Sequence, residues 1–166
     1  MKSELITNDE QGTLAAGIEL ASRLRPGDCI ALEGMLGAGK TCLARGIAMG
    51  LGIAKQDVAS PTFALVHEHA CTMQDEQGVG MPGHLYHLDA YRLGGIEDLQ
   101  SIGWEELLDD PAGIMVIEWA SRIRDALPPS CIRIELEHRG ETERGLRLLL
   151  PEGLVKRLST TWDPQS

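Results

Sequence analysis

Aromatic side chains and long apolar runs are both scarce in this sequence. Its 166 residues include one Phe, two Tyr and three Trp, so aliphatic side chains must fill the interior. No run approaches the roughly 20 apolar residues that a membrane-spanning helix requires. The first residues, Met1-Lys2-Ser3-Glu4-Leu5, lack the apolar region of a secretory signal. We therefore expect no membrane association and a cytoplasmic location.

Basic residues are scarce as well. Lys and Arg number 15 against 25 Asp and Glu, which gives a formal net charge of −10. A protein that grips nucleic acid by itself usually presents a basic patch, because it must neutralise phosphates. Nothing in this chain resembles such a patch. If the function involves nucleic acid, we expect another protein to make most of the contacts with it.

The cysteines show no paired spacing. The absence of a Cys-x-x-Cys motif argues against a disulfide framework and favours small core side chains. The four are Cys29, Cys42, Cys71 and Cys131. His67, His69 and Cys71 alternate and would share one face of a strand, and His84 and His87 follow soon after. These are zinc-ligand types, but their spacing matches no familiar zinc site, so metal binding here is the weaker interpretation.

The strongest motif is a glycine-rich loop between a strand and a helix. The segment Gly34-Met35-Leu36-Gly37-Ala38-Gly39-Lys40-Thr41 follows an apolar run at 29–32, precedes a helical pattern at 42–50, and fits G-x-x-x-x-G-K-T. Glycines let backbone N–H groups wrap around a polyphosphate, and the new helix adds its positive dipole end. We call residues 34–41 the phosphate-binding loop. The residues expected to contact the nucleotide here are Met35, Leu36, Gly37, Ala38, Gly39, Lys40, Thr41 and Cys42.

Particular side chains suit nucleotide chemistry. Lys40 would reach the outer phosphates, and the Thr41 hydroxyl would ligate Mg²⁺. Glu118 and Asp89 each close an apolar strand. Ligands of open α/β sheets bind outside the carboxyl ends of the strands, so either acid could complete the magnesium shell. Thr62, in Ser60-Pro61-Thr62, could sense the γ-phosphate as part of a switch segment, the alternative being a turn with capping hydroxyls.

The remaining pattern predicts one domain over residues 1–166. The continuous apolar run at 113–118 is typical of a strand buried on both faces, as in a parallel sheet. Residues 71–83 show no periodicity and are predicted to be a loop or hairpin tip, and 159–166 to be a frayed tail. Helices are expected at 9–24, 42–50, 96–101, 104–108, 119–126 and 153–158, and strands at 5–7, 29–32, 63–67, 84–89, 113–118, 132–137 and 146–150.

Several of these motifs occur together in one family. The phosphate-binding loop is followed by Ser60-Pro61-Thr62-Phe63, by His87-Leu88-Asp89-Ala90-Tyr91-Arg92-Leu93 and by Ile117-Glu118-Trp119. Over roughly residues 9–124 the chain therefore resembles the TsaE (YjeE) family, small bacterial ATPases of threonylcarbamoyladenosine tRNA modification. The resemblance implies an α/β, P-loop NTPase-like three-layer fold with a mostly parallel sheet and antiparallel hairpin additions.

The resemblance also implies roles for individual residues. Thr41 and Glu118 would hold Mg²⁺, Asp89 would support hydrolysis, and Thr62 would lie in a switch-like loop. Gln11 would lie near the adenine, and Arg144 is the match for a late arginine that touches the nucleotide. The expected catalytic residues are Lys40, Thr62, Asp89 and Glu118. ATP is favoured over GTP by the resemblance and because the sequence has no Asn/Thr-Lys-x-Asp guanine-reading motif.

The partners implied by the resemblance are TsaD and TsaB, acting on adenosine 37 of tRNAs that read codons beginning with A. TsaD would carry the transfer chemistry, ATP hydrolysis by this chain would reset the complex, and tRNA would be contacted only indirectly. One alternative is a small-molecule kinase, for which residues 71–83 are the candidate lid but contain no arginine. The other is a nucleotide-switched binding module without catalysis, which Asp89 and Glu118 argue against.

Overall fold

A seven-stranded sheet organises residues 2–58, 64–75, 77–159 and 161–162, the part of the chain that the computed structural model describes. The strands are β1 (Lys2–Thr7), β2 (Cys29–Glu33), β3 (Val66–Gln74), β4 (Gly80–Asp89), β5 (Gly113–Glu118), β6 (Ile132–His138) and β7 (Arg144–Leu149). The helices are α1 (Glu10–Ala21), α2 (Lys40–Gly50), α3 (Ile96–Ser101), α4 (Trp104–Asp109) and α5 (Glu152–Leu158), with 3-10 segments at Lys55–Asp57, Ala90–Arg92 and Ala120–Ala126.

The strands follow the order β1-β7-β6-β2-β5-β4-β3. The central four, β6, β2, β5 and β4, run parallel, while β7 and β1 on one side and β3 on the other are added antiparallel. The predicted α/β fold, with a parallel sheet and antiparallel hairpin additions, is confirmed. The parallel centre places the carboxyl ends of β2, β4 and β5 at one edge of the sheet, where the phosphate-binding loop begins.

Two separate apolar clusters lie on the two faces of the sheet. Alternation along β5 assigns Ile114 and Val116 to the cluster beneath α1, α2 and α5, and Met115 and Ile117 to the cluster beneath α3, α4 and the 3-10 segment. All six residues of β5 are buried, as expected for a strand covered on both faces. The fold therefore has the three predicted layers.

Helices α1 and α2 touch at their backbones. A Cβ atom on Gly17 would lie 2.6 Å from the Leu43 carbonyl oxygen, and one on Gly46 would lie 2.4 Å from the Leu14 carbonyl oxygen. Only glycine permits this approach, because heavier side chains would hold the helices apart. Since α2 starts at the end of the phosphate-binding loop, this contact fixes the direction in which the helix leaves that loop.

The prediction of a loop or hairpin tip at 71–83 was right about the hairpin but made its tip too long, because β3 ends at Gln74 and β4 begins at Gly80. β3 continues to Gln74 and pairs with β4 through Cys71–Gly83, Thr72–Pro82 and Met73–Met81. The hairpin closes at a tight turn, in which Asp75 Oδ1 accepts hydrogen bonds from the backbone N–H groups of Gln77 (2.9 Å) and Val79 (2.8 Å). Backbone pairing forms these strands although Gly80, Pro82 and Gly83 interrupt the apolar alternation that would reveal them.

The prediction of a frayed tail at 159–166 was wrong for Trp162, which is packed against α1. Trp162 is 2% exposed, and its indole Nε1–H donates to the Ala16 carbonyl oxygen at 3.0 Å. Its backbone N–H donates to Glu19 Oε1 at 3.2 Å. Burial of this large side chain against α1 keeps the chain ordered past α5. Residues 163–166 lie outside the described residues.

The first helix is shorter than predicted. α1 covers Glu10–Ala21 instead of 9–24, and Asp9 is its N-cap, accepting from the Gly12 N–H at 2.7 Å. All four cysteines are free. Throughout the described residues, every helix is too short or too polar to cross a bilayer.

Replacing Gly17 or Gly46 with alanine should destabilise the chain by about 1–3 kcal/mol, because the added methyl group forces apart two helices already in backbone contact. Gly153→Ala is the matched control, since a Cβ at this helical position meets nothing within 4 Å. That variant should be neutral or slightly stabilising. Urea denaturation of the three variants measures the difference, and equal stability of all three would contradict the close packing.

A histidine–aspartate contact between β4 and the turn before β5 makes the stability of the chain depend on pH. Asp110 Oδ2 bonds to His84 Nδ1 (2.9 Å) and to the Tyr86 hydroxyl (2.7 Å), tying β4 to the turn before β5. The bond with Asp110 raises the pKa of His84 above its usual value. His84, followed by the Ala112 N–H and Tyr86, lowers the pKa of Asp110 to about 2.

Asp110→Asn should therefore destabilise the chain most at mildly acidic pH. His84 contributes stability below its unfolded pKa of about 6.5, and this is lost as pH rises through its higher folded value. Asp110 contributes above its unfolded pKa of 3.8, and this is lost as pH falls through about 2. Urea denaturation across pH measures the difference, with Glu97→Gln on α3 as the charge-matched control. A difference that persists unchanged at alkaline pH would refute the pairing.

Candidate nucleotide-binding site

The phosphate-binding loop leaves β2 against the end of β6. A Cβ on Gly34 would lie 2.4 Å from the Leu136 carbonyl oxygen, so this position accepts only glycine. Gly39, the N-cap of α2, has φ 104°, in the left-handed region that glycine adopts without strain. The loop can therefore turn sharply enough to direct the first turn of α2 back over the strand ends.

Lys40 lies at the centre of the loop and is 4% exposed. Its Nζ donates to the carbonyl oxygens of Gly34 (2.7 Å) and Met35 (3.0 Å) and lies 3.6 Å from the centroid of the Trp119 ring. These three contacts are with neutral groups, so the charge remains available to an anion. Burial lowers the pKa of Lys40, and the nearby Glu118 and Asp89 charges oppose that shift.

Three polar side chains form a continuous chain of hydrogen bonds beside Lys40. The Thr41 hydroxyl donates to Glu118 Oε2 at 2.7 Å, and Glu118 Oε1 lies 2.8 Å from His87 Nε2. Glu118 is 3% exposed and His87 is 1% exposed. The cluster is thus a largely buried polar site, at the carboxyl ends of the strands, in which both oxygens of Glu118 have hydrogen-bond partners.

Strand alternation explains why these side chains meet. Glu118 has the same parity as Ile114 and Val116, so it points to the face that α2 covers. His87 has the same parity as Leu85, which belongs to the same cluster. In the parallel register Leu32 lies beside Glu118 and Asp89 lies on its other side, so β4, β2 and β5 end together.

The predicted magnesium ligands converge. Thr41 and Glu118 supply a hydroxyl and a carboxylate oxygen, which are the hard oxygen donors that Mg²⁺ prefers. Both lie where the first turn of α2 meets the end of β5. The side chains present therefore fit Mg²⁺. Asp89 lies next to Glu118 as predicted, but its Oδ1 accepts from the Tyr91 N–H at 3.0 Å and caps a 3-10 turn.

Two cavities flank the phosphate-binding loop. One, of about 180 Å³, contains Leu36, Gly37, Gly39, Lys40, Thr41, Cys42, Glu118 and Trp119. The other, of about 300 Å³, contains Asp9, Glu10, Thr13, Gly37, Gly39, Cys42, Glu141, Thr142 and Arg144. They share Gly37, Gly39 and Cys42, so the two cavities adjoin at the phosphate-binding loop. The first has the chemistry for phosphates, and the second is large enough for a nucleoside.

A larger cavity of about 500 Å³ lies between α3, α4 and the 3-10 segment Ala120–Ala126. Its lining includes Trp104 and Leu99 together with Glu105 and Glu106, and it contains no residue of the phosphate-binding loop. Acidic side chains repel phosphate groups, so this cavity does not compete as a nucleotide site despite its size.

The predicted nucleotide contacts are only partly assembled by the structure. Arg144 lines the larger flanking cavity, and its Nη1 donates to the Glu143 carbonyl oxygen at 2.9 Å. Gln11 is exposed on α1 and lines neither flanking cavity, whose wall there is formed by its neighbours Asp9 and Glu10. Thr62, and with it the segment 60–62, lies outside the described residues.

Three of the residues predicted to contact the nucleotide differ in what they expose at the phosphate-binding loop. Met35 is 76% exposed, and its carbonyl oxygen accepts from Lys40. Ala38 is fully buried, and its N–H donates to the Met35 carbonyl oxygen at 3.0 Å. Cys42 lines both flanking cavities, but burial raises the pKa of its thiol to about 11, so it stays protonated at neutral pH.

Sequence reasoning missed two contacts. The sequence places Trp119 in a predicted helix and in a motif of the resemblance; in the structure its ring covers Lys40, and its backbone has φ 57°, a left-handed conformation uncommon for tryptophan. The sequence places His87 in a possible zinc set and in a motif of the resemblance, whereas in the structure it bonds to Glu118. Within the described residues, no three His, Cys, Asp or Glu side chains form a metal-holding group. The signal for His87 was its position two residues before Asp89 on the same strand face.

Comparison with known proteins bears directly on the family. The family model for threonylcarbamoyl adenosine biosynthesis protein TsaE matches residues 7–146. Two relatives are named tRNA threonylcarbamoyladenosine biosynthesis protein TsaE. The Treponema pallidum protein is 35% identical over 131 residues, covering 79% of this chain and 88% of its own. The Nostoc protein is 39% identical over 145 residues, covering 86% and 82%.

A solved structure is similar over nearly the whole chain. The crystal structure of YdiB from Bacillus subtilis matches with a TM-score of 0.70 and 28% identity, covering 96% of this chain and 92% of that one. The family match spans the phosphate-binding loop, Asp89 and Glu118 together. The resemblance drawn from the motifs is therefore confirmed, and this chain belongs to the TsaE family.

Proposed function

We propose that this chain binds ATP with Mg²⁺ and hydrolyses it in the biosynthesis of threonylcarbamoyladenosine in tRNA. The observation that carries the proposal is the convergence of Lys40, Thr41 and Glu118 on one glycine-rich loop. A cation faced by neutral groups, next to a hydroxyl–carboxylate pair, suits a triphosphate with its metal ion. The names of the TsaE relatives supply the pathway.

The residues divide the work of phosphoryl transfer to water. The loop N–H groups and Lys40 would bind and orient the phosphates, and Thr41 and Glu118 would hold Mg²⁺. When bound, Mg²⁺ supplies positive charge that offsets the charge of the phosphate oxygens. Asp89 ends the strand next to Glu118, and we propose that it orients the attacking water, with Thr62 sensing the γ-phosphate.

The larger flanking cavity is proposed to hold the nucleoside. It shares Gly37, Gly39 and Cys42 with the phosphate cavity, and Arg144 lies in its wall. Carbonyl oxygens around Arg144 orient its guanidinium from the loop between β6 and β7. ATP is preferred to GTP in this proposal because the sequence lacks a guanine-reading motif.

The proposed partners are TsaD and TsaB, and the proposed substrate of the assembly is adenosine 37 of tRNAs reading codons that begin with A. The net charge of −10 suits a subunit that leaves tRNA binding to its partners. Hydrolysis by this chain would reset the assembly after each modification. Work on tRNA would place the chain in the cytoplasm.

The kinase alternative is weakened by the topology. Its candidate lid is the tip of the β3–β4 hairpin. β4 runs from Gly80 to Asp89, and its carboxyl end meets the phosphate-binding loop, so the hairpin tip lies at the opposite edge. The strand length separates the two ends by about 30 Å. A lid at that distance cannot close over the nucleotide.

Lys40→Ala should weaken ATP binding by about tenfold to 100-fold, because hydrogen bonds to charged groups contribute about 1.5–3 kcal/mol. Calorimetric titration with ATP and Mg²⁺ measures the change. Lys156→Ala on the exposed face of α5 removes the same charge and should bind as the wild type does. Undiminished binding by the Lys40 variant would overturn the proposed site.

Adding TsaD and TsaB should raise the slow ATP hydrolysis of the isolated chain. Phosphate release is measured with each partner alone and with both, and modified adenosine is measured in tRNA from the same reactions. Glu118→Gln should bind the partners but lose most hydrolysis, because the amide is a poor ligand for Mg²⁺. Modification that proceeds fully without this chain or without ATP hydrolysis would contradict the proposal.

A further inference from the structure

We infer that His87 is a positioning residue for Glu118. Its Nε2–H donates to Glu118 Oε1 and holds the carboxylate so that Oε2 faces Thr41 and the place of the metal ion. The inference rests on the proposed function, because it takes Thr41 and Glu118 as magnesium ligands. It assigns His87 no contact with the nucleotide.

The hydrogen-bond directions follow from the chemistry of the groups. Thr41 donates its hydroxyl proton to Oε2, and Oε1 lies 2.8 Å from His87 Nε2. A carboxylate can only accept, so the imidazole proton must be on Nε2. Each oxygen of Glu118 thus has its own donor, and the two donors define the plane of the carboxylate.

Without His87 that plane would be poorly defined. The terminal torsion of a glutamate is broad, so a carboxylate held at one oxygen turns easily about its last bond. Glu118 is 3% exposed, so water cannot readily replace a missing donor at Oε1. A buried oxygen without a donor is unfavourable, so the carboxylate would turn toward another donor. Lys40 is the nearby cation, and its charge already interacts with that of Glu118.

The imidazole is held rigidly enough to act as a support. His87 is 1% exposed and lies on an inner strand of the sheet, with Val116 beside it on β5 and His67 on β3. β4 is bonded on both sides at this position, so the backbone that carries His87 cannot shift independently of β5. Hydrogen bonds of this kind to metal-binding side chains typically contribute 10- to 100-fold in metal affinity.

The same strand supplies a matched control. His84 lies three residues earlier on β4 and also bonds to a carboxylate, Asp110, at 2.9 Å. It has the opposite parity to His87 and lies at the far edge of the sheet, where β4 first meets β5. Replacing His84 removes a histidine–carboxylate bond from β4 without touching Glu118.

The variants that test this inference differ in whether a side-chain N–H can reach Glu118 Oε1. The amide nitrogen of glutamine lies close to the position of histidine Nε2, whereas that of asparagine falls short of it. His87→Gln should keep the bond to Oε1, and His87→Asn should lose it while keeping a polar side chain. His87→Leu removes the donor altogether. His84→Gln is the control, and circular dichroism and urea denaturation establish that each variant is folded.

The readout is the Mg²⁺ dependence of nucleotide binding, measured by titrating Mg²⁺ at a fixed concentration of a fluorescent ATP analogue. His87→Asn and His87→Leu should raise the half-saturating Mg²⁺ concentration by about 10- to 100-fold, with analogue affinity in EDTA unchanged. His87→Gln should stay within about threefold of the wild type, as should His84→Gln. A histidine that only fills the core would not separate glutamine from asparagine in this way.

Each other outcome decides against the inference. Wild-type Mg²⁺ dependence in His87→Asn, or equal losses in the glutamine and asparagine variants, would overturn it while leaving the proposed function intact. Equal weakening in EDTA would assign His87 a role in the fold or in phosphate binding instead. If the leucine variant does not fold, the amide pair decides alone. A wild-type chain that binds no analogue with Mg²⁺ would refute the proposed function, and the inference with it.

Discussion

The parallel alignment of β2 with β5 is the constraint on which the candidate site depends. Leu32 lies beside Glu118 in that register, so the strand that leads into the phosphate-binding loop ends level with the strand that ends in the acid. A shift of one residue would turn Glu118 to the opposite face, away from Thr41. Both faces of β5 are buried, so such a shift would also exchange the side chains that pack in the two apolar clusters.

A polar cluster is therefore built into an aliphatic interior. Lys40, His87 and Glu118 are all less than 5% exposed. Burying such groups is unfavourable unless each has a partner, and here each has one: carbonyl oxygens and a ring for Lys40, and two donors for Glu118. Burying these polar groups lowers the stability of the fold but fixes their geometry in advance. A charged ligand can then bind without rearranging the side chains around it.

Sequence alone revealed the parts of the site that depend on local spacing. The phosphate-binding loop is a contiguous sequence pattern. Glu118 ends a continuous apolar run, and such a run predicts a buried strand. His87 and Trp119 were missed because their roles depend on which strands are neighbours, and strand order is not local information. Nothing in the sequence states that β5 lies between β2 and β4, which is what brings His87 within reach of Glu118.

The same limit explains the errors in the fold. Alternation predicts strands only where side chains alternate, so the β3–β4 pairing through Gly80, Pro82 and Gly83 was invisible although its backbone bonds are regular. Trp162 was assigned to a frayed tail because its partner, the Ala16 carbonyl, is distant in sequence. In both cases a tertiary contact overrides a local pattern that carries little signal.

Helix packing connects the two cavities that flank the phosphate-binding loop. They share Gly37, Gly39 and Cys42, so the first turn of α2 borders both. Asp9, Glu10 and Thr13, at the start of α1, line the larger of the two. The contact at Gly17 and Gly46 sets the distance between α1 and α2. The width of the larger flanking cavity therefore depends on two glycines that border neither cavity, and a methyl group added there would change that width through the helix spacing.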